Sequence, residues 1–168
     1  MSSYSKIQES LVQSLELAQV PVAVCLAGAL PQGVAMWSGT APAGCRFWQE
    51  AAARTFATTA RQHDLCAIGV YTHNLEATPA SNADLNDALQ VFGDLGYVRP
   101  EDVAQIPVLG ERPRYVIYGP LAEAPAAPDV VLLFVDANQT LILAEAAQQV
   151  EAVRRPLWAG RRARSSRR

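Results

Sequence analysis

Cys45, His63 and Cys66 are the residues of this chain best suited to chemistry. They stand in two short motifs, Gly44-Cys45-Arg46-Phe47-Trp48 and His63-Asp64-Leu65-Cys66. Thiolates and imidazoles are the main soft metal ligands and nucleophiles a protein owns. The spacing is C-x20-C with H-x2-C embedded, unlike the paired C-x2-C of a zinc ribbon. Three readings stay open. In the first, Cys45, His63 and Cys66 hold a metal or redox cofactor, with a fourth donor from His73, Cys25 or a second subunit. In the second, Cys45 or Cys66 is a nucleophile or redox thiol with His63 as base. In the third, the chain is a small-ligand-binding module without metal. Phe47, Trp48, Tyr71 and Tyr118 then line a pocket, with Arg46 and His73 as polar candidates. Against that stands ordinary core packing of the aromatic residues.

Other chemistries lack their usual supports. The sequence holds no G-x-x-x-x-G-K-[ST], no G-x-G-x-x-G after a strand, no H-E-x-x-H and no G-x-S-x-G. Three cysteines in a chain without a signal peptide argue against a disulfide scaffold. The reading is a soluble, cytoplasmic protein, because prolines and glycines break every apolar run short of membrane-spanning length.

The elements that must position these residues can be read in order. Ser5 and Gln8 fit a capping box ahead of Ile7, Leu11 and Leu15, an amphipathic helix. Val20 to Leu26 is a β-branched run that reads as a buried strand, with Cys25 a core side chain. A short strand is expected at Val34 to Trp37. Gly44 opens a helix to Arg54, and Phe56 to Thr59 is a strand. Asp64 is the expected N-cap of a helix beginning at Leu65. Both Cys45 and Cys66 then fall in a first helical turn, where unpaired amides favour thiolate. Ser81 and Asp84 cap a helix through Phe92, Pro100 starts a short one, and Asp136 with Gln139 caps the last. Arg114 to Tyr118 and Asp129 to Val135 are strands, the latter a continuous apolar run suited to a sheet centre. The mixture predicts a single α/β or α+β domain, a mixed sheet flanked by helices, over residues 1–152.

Charge divides the chain. Residues 1–152 carry seven basic and sixteen acidic groups, a net of −9, whereas residues 153–168 carry seven arginines and no acid. The acidic body is a poor surface for nucleic acid. The tail reads as disordered.

The series Pro21-Val22-Ala23-Val24, Gly44 to Ala51, His63-Asp64-Leu65-Cys66, Gly69-Val70-Tyr71-Thr72, Val116 to Leu121 and Val130 to Phe134 resembles the domain of unknown function 169 family, over roughly residues 10 to 150. That family has no assigned activity. The resemblance implies a metal, iron–sulfur or haem centre at the cysteines. It also implies a longer chain, with a second half carrying a motif like Met-Gly-Arg-Pro-Ala-Cys-Ala and able to supply further donors. Where relatives commonly have a basic residue this chain has Cys25, which takes no role from the family.

Trp158-Ala159-Gly160-Arg161-Arg162-Ala163-Arg164 can be that motif displaced by one base. ATG GGC CGG CCG GCG TGC GCG, read from its second base, begins Trp-Ala-Gly-Arg-Arg-Ala-Arg. The tail is therefore read as out-of-frame translation of the second half, with a basic tail for nucleic acid or a membrane surface as the alternative. A truncated sheet would leave an open edge and favour a homo-oligomer. Sequencing the gene tests this: the shifted frame past codon 155 is expected to continue with the family's motifs, and a frame without them ends the idea.

Overall fold

The computed structural model describes residues 3–39, 45–63 and 66–154, with the backbone alone for residues 45, 100 and 151–154. Two compact units divide it, residues 1–133 and 134–168. The first contains α1 (Ser3–Leu15), β1 (Val22–Ala27), β2 (Ala35–Met36), α2 (Cys45–Ala51), β3 (Phe56–Thr58), α3 (Ala67–Thr72), α4 (Pro79–Asp94), α5 (Pro100–Val103), β4 (Tyr115–Pro120) and β5 (Val130–Leu132). Two 3-10 turns, Ala60–His63 and Leu121–Glu123, follow β3 and β4. The second unit is α6 (Ala137–Arg154). The protein is thus α/β, with helices around one mixed sheet.

The sheet runs β2-β3-β4-β1-β5. Only β2 and β3 are parallel. Strand β4 is the middle strand, and β1, interior beside it, is antiparallel to β4 from Val22↔Pro120 to Ala27↔Tyr115 and to β5 from Val22↔Leu132 to Val24↔Val130. Strand alternation sorts its side chains. Val22, Val24, Phe56, Val116 and Tyr118 join Phe47 of α2 and Val70 of α3 in the larger core. Cys25, Ala57 and Ile117 point to the other face and form a smaller cluster. Cys25 is buried there, 3.9 Å from the Ala126 carbonyl, and burial raises its thiol pKa.

Four expectations need correction. The apolar run at Asp129–Val135 is not a central strand: β5 is three residues long at the sheet edge, with Val130 and Val131 exposed. An apolar run signals burial potential but not strand order, and Tyr115–Pro120 takes the centre with Val22–Ala27 beside it. Asp129 itself tethers β1, since its carboxylate accepts from the Leu26 N–H at 2.7 Å. Gln8 does not close a capping box with Ser5: α1 begins earlier, at Ser3, and the Gln8 side-chain Oε1 accepts from the Ala122 N–H at 2.9 Å. α4 is capped by Thr78, three residues ahead of Ser81, with Pro79 at its first position; Ser81 is the reciprocal partner inside the helix. The helix expected from Leu65 begins at Ala67, with Cys66 as its cap. The Asp136–Gln139 cap forms as read, with both 2.8 Å bonds present.

Gly119 in β4 lies directly beneath Thr55, whose Cβ and Cα are 2.9 and 3.0 Å from the place a β-carbon would take. Thr55 is held there by its hydroxyl, which donates to Glu123 at 2.9 Å. Gly119→Ala is expected to lower stability by about 1–3 kcal/mol through overpacking, measured by urea unfolding. An unchanged midpoint would show that Thr55 yields freely.

Candidate functional site

Strand β3 turns Phe56 and Thr58 toward the helices, and the 3-10 turn Ala60–His63 folds back over it. His63 is thereby carried into the larger core, 2% exposed. Its Nε2 lies 2.9 Å from Thr58 Oγ1, which in turn lies 3.2 Å from the Val116 carbonyl oxygen. A hydroxyl has one proton to give, and a carbonyl can only accept. Thr58 donates to Val116, so it accepts from His63. Nε2 therefore carries the imidazole proton and Nδ1 keeps its lone pair. Nδ1 is buried and makes no hydrogen bond among the described residues.

Aromatic rings enclose this imidazole. Phe47 of α2 sits 4.7 Å away between centroids and Tyr118 of β4 6.3 Å away. Phe47 and Tyr118 stack at 5.5 Å. Burial, and next the charge of His73, push the His63 pKa down to about 4, so the ring is neutral at pH 7.

Cys66 stands beside this group. Its N–H donates to the His63 carbonyl at 2.7 Å, and its free thiol is half-buried. The sulfur fills the space a Gly69 β-carbon would need, 2.8 Å from that position. Tyr118 feels Cys66: its pKa is raised first by burial and then by the charge of a Cys66 thiolate. Asp84 of α4 accepts from the Ala67 N–H at 3.2 Å, and so supplies from outside the first-turn cap expected of Asp64, which lies outside the described residues. Cys45 opens α2, the helix that sets Phe47 on His63; its side chain is also outside the described set.

The remaining candidates scatter. His73 closes α3, with Nδ1 2.8 Å from the Gly69 carbonyl oxygen, so Nδ1 donates and Nε2 bears the lone pair. Tyr118 is packed in the core. Trp48 is exposed, and Arg46 is paired with Glu50 at 3.2 Å. Tyr71 lines a cavity of about 240 Å³ between α3 and α4. Among the described residues no three His, Cys, Asp or Glu side chains cluster to hold a metal ion. Thr58 was not singled out by sequence, though it had a signal, a polar residue at an inward strand position two after Phe56; Gly69 was named only in a motif of the family resemblance and Asp84 only as a helix cap, neither as a site residue.

The family model for the domain of unknown function 169, described as "Uncharacterised ArCR", matches residues 10–158. The chain belongs to this family. No curated protein and no solved structure matches it. Membership in the domain of unknown function 169 family brings no activity, so function in this member rests on its own side chains. Among the described residues no helix is long and apolar enough to cross a membrane.

The depressed His63 pKa sets a pH dependence for this family member. Above pH 6.5 the imidazole is neutral folded or unfolded. Between about 6.5 and 4 the unfolded chain takes a proton that the folded core refuses. Stability is expected to fall by about 3 kcal/mol across that window. Urea unfolding at stepped pH checks it: His63→Gln should flatten the slope, and a wild-type slope unchanged by that substitution would refute the assignment.

Proposed function

We propose that this domain binds a transition metal ion or a metal-containing redox cofactor through His63 and Cys66, with Cys45 as a further thiolate. The single observation behind the reading is the Nδ1 lone pair of His63. A buried nitrogen acceptor without a partner costs about 1–3 kcal/mol, and a neutral imidazole oriented by a hydrogen bond on its other nitrogen is the form in which histidine binds metals. Cys66 is a free thiol whose own backbone is bonded to His63. Cys45 begins the helix whose third residue, Phe47, packs on the same ring. His73 offers a second imidazole with its lone pair on Nε2. A bound iron or copper centre would supply electron transfer, a zinc ion Lewis acidity.

The chain's own contribution is placement. Thr58 fixes the tautomer and the ring plane, Gly69 leaves room for the sulfur, and Phe47 and Tyr118 keep water from the imidazole. An iron–sulfur cluster needs more thiolates than Cys45 and Cys66 alone supply. A mononuclear ion or haem iron makes fewer demands on this donor set.

Anaerobic purification followed by elemental analysis and visible absorption tests the reading. Near-stoichiometric zinc, iron or copper is expected in the wild type, with at least about fivefold less in His63→Ala, Cys66→Ser and Cys45→Ser, since loss of a ligand weakens most metal sites by an order of magnitude or more. Cys25→Ser should retain the metal. Protein that neither holds nor takes up these ions, or whose content ignores all three substitutions, sinks it.

A further inference from the structure

Residues 1–152 own seven basic groups. Arg46 and Arg54 both pair with Glu50, and Arg99 pairs with Glu101 and Asp102. Lys6 lies on α1. The other three, Arg61, Arg112 and Arg114, all line a single cavity of about 740 Å³. None of the three makes an ion pair among the described residues. Among the described residues Arg112 donates to the Asn74 side-chain Oδ1 at 3.3 Å, and Arg114 lies 5.6 Å from the Tyr115 ring. Glu76 is the one carboxylate in the lining.

These arginines come from separate parts of the chain. Arg61 is on the 3-10 turn after β3, and Arg112 and Arg114 lie on the approach to β4. The fold gathers like charges that sequence keeps about fifty residues apart and, among the described residues, leaves their guanidinium groups outside any ion pair. Their mutual repulsion is relieved by an anion placed among them, and guanidinium is the group that binds carboxylate and phosphate by paired hydrogen bonds. The amino end of α4, at Thr78 and Pro79, faces the same space and adds a field of the same sign.

A smaller cavity adjoins it. Leu75, Ala77 and Arg112 line both this space and the recess of about 240 Å³ between α3 and α4. The recess has an apolar side formed by Val70, Tyr71 and Leu85, with Asn74, Ser81 and Asn82 also in its lining.

We propose that the two adjoining cavities together bind a small organic anion, its carboxylate or phosphate held among Arg61, Arg112 and Arg114 and its apolar body reaching past Leu75 and Ala77 to lodge against Val70, Tyr71 and Leu85. Neither cavity is lined by His63 or Cys66, so this site stands or falls independently of the metal reading.

Calorimetric titration of the full chain at fixed ionic strength tests it, with four probes: acetate, hexanoate, inorganic phosphate and phenyl phosphate. Hexanoate should bind about tenfold tighter than acetate, and phenyl phosphate about tenfold tighter than inorganic phosphate, through burial of the added carbons. Whichever pair binds tighter names the head group. Arg61→Gln, Arg112→Gln and Arg114→Gln should each weaken the better probe about three- to tenfold. These side chains are exposed, so circular dichroism should show the fold unchanged. Leu85→Trp, which fills the recess, should erase the preference for the larger probe and spare the smaller one. Three results would overturn the proposal: no saturable binding of either organic anion, affinity unchanged in the triple arginine variant, or simple ions binding as tightly as their organic counterparts.

Discussion

The Thr58 hydroxyl has one proton, and the fold spends it on the Val116 carbonyl. That choice ties β3 to β4 through a side chain as well as through the ladder. It also decides the tautomer of His63, the orientation of its ring and the direction in which its lone pair is offered. If Thr58 were replaced by valine, of the same shape, the ring would lose its anchor and Nε2 would become a second buried nitrogen in want of a partner. A buried polar pair in an aromatic surrounding is held more tightly than the same pair in water, and tolerates error less. The rest of the candidate centre is arranged around this pair: Phe47 and Tyr118 close the space, and Cys66 is bonded to the His63 backbone.

Local pattern made most of the elements legible. A β-branched run marked β1, weak alternation marked β4, Pro100 marked a helix start, and Asp136 with Gln139 marked another because capping is a three-residue event written in neighbouring residues. Two of the errors fall where a distant residue intervened. Gln8 looked like a local cap and instead serves a backbone amide 114 residues away. The first turn of α3 is served by Asp84 from the next helix rather than by a residue just before it. Strand order was not legible at all, since a continuous apolar run fits a centre or a poorly covered edge equally well.

The site was legible by residue type and not by geometry. His63 and Cys66 are near in sequence, and the structure keeps them joined. Trp48 and Arg46 flank a cysteine in sequence but face solvent, because a helix turns neighbouring residues to different sides. The three unpaired arginines were invisible as a group: Arg61 stands far from Arg112 and Arg114, and only the return of the chain into β4 brings them to one wall.

The pairing of β1 with β4 has a consequence for how the chain is made. Val22 meets Pro120, so the middle of the sheet closes a loop of about a hundred residues. A ribosome must release β4 before β1 can find its principal neighbour. Until then the segment Val22-Ala23-Val24-Cys25-Leu26 waits without a charge in it, as an unpaired strand of high β-propensity. The nascent protein is most vulnerable to self-association during that interval, and whatever shields its first strand in the cell acts before the sheet exists.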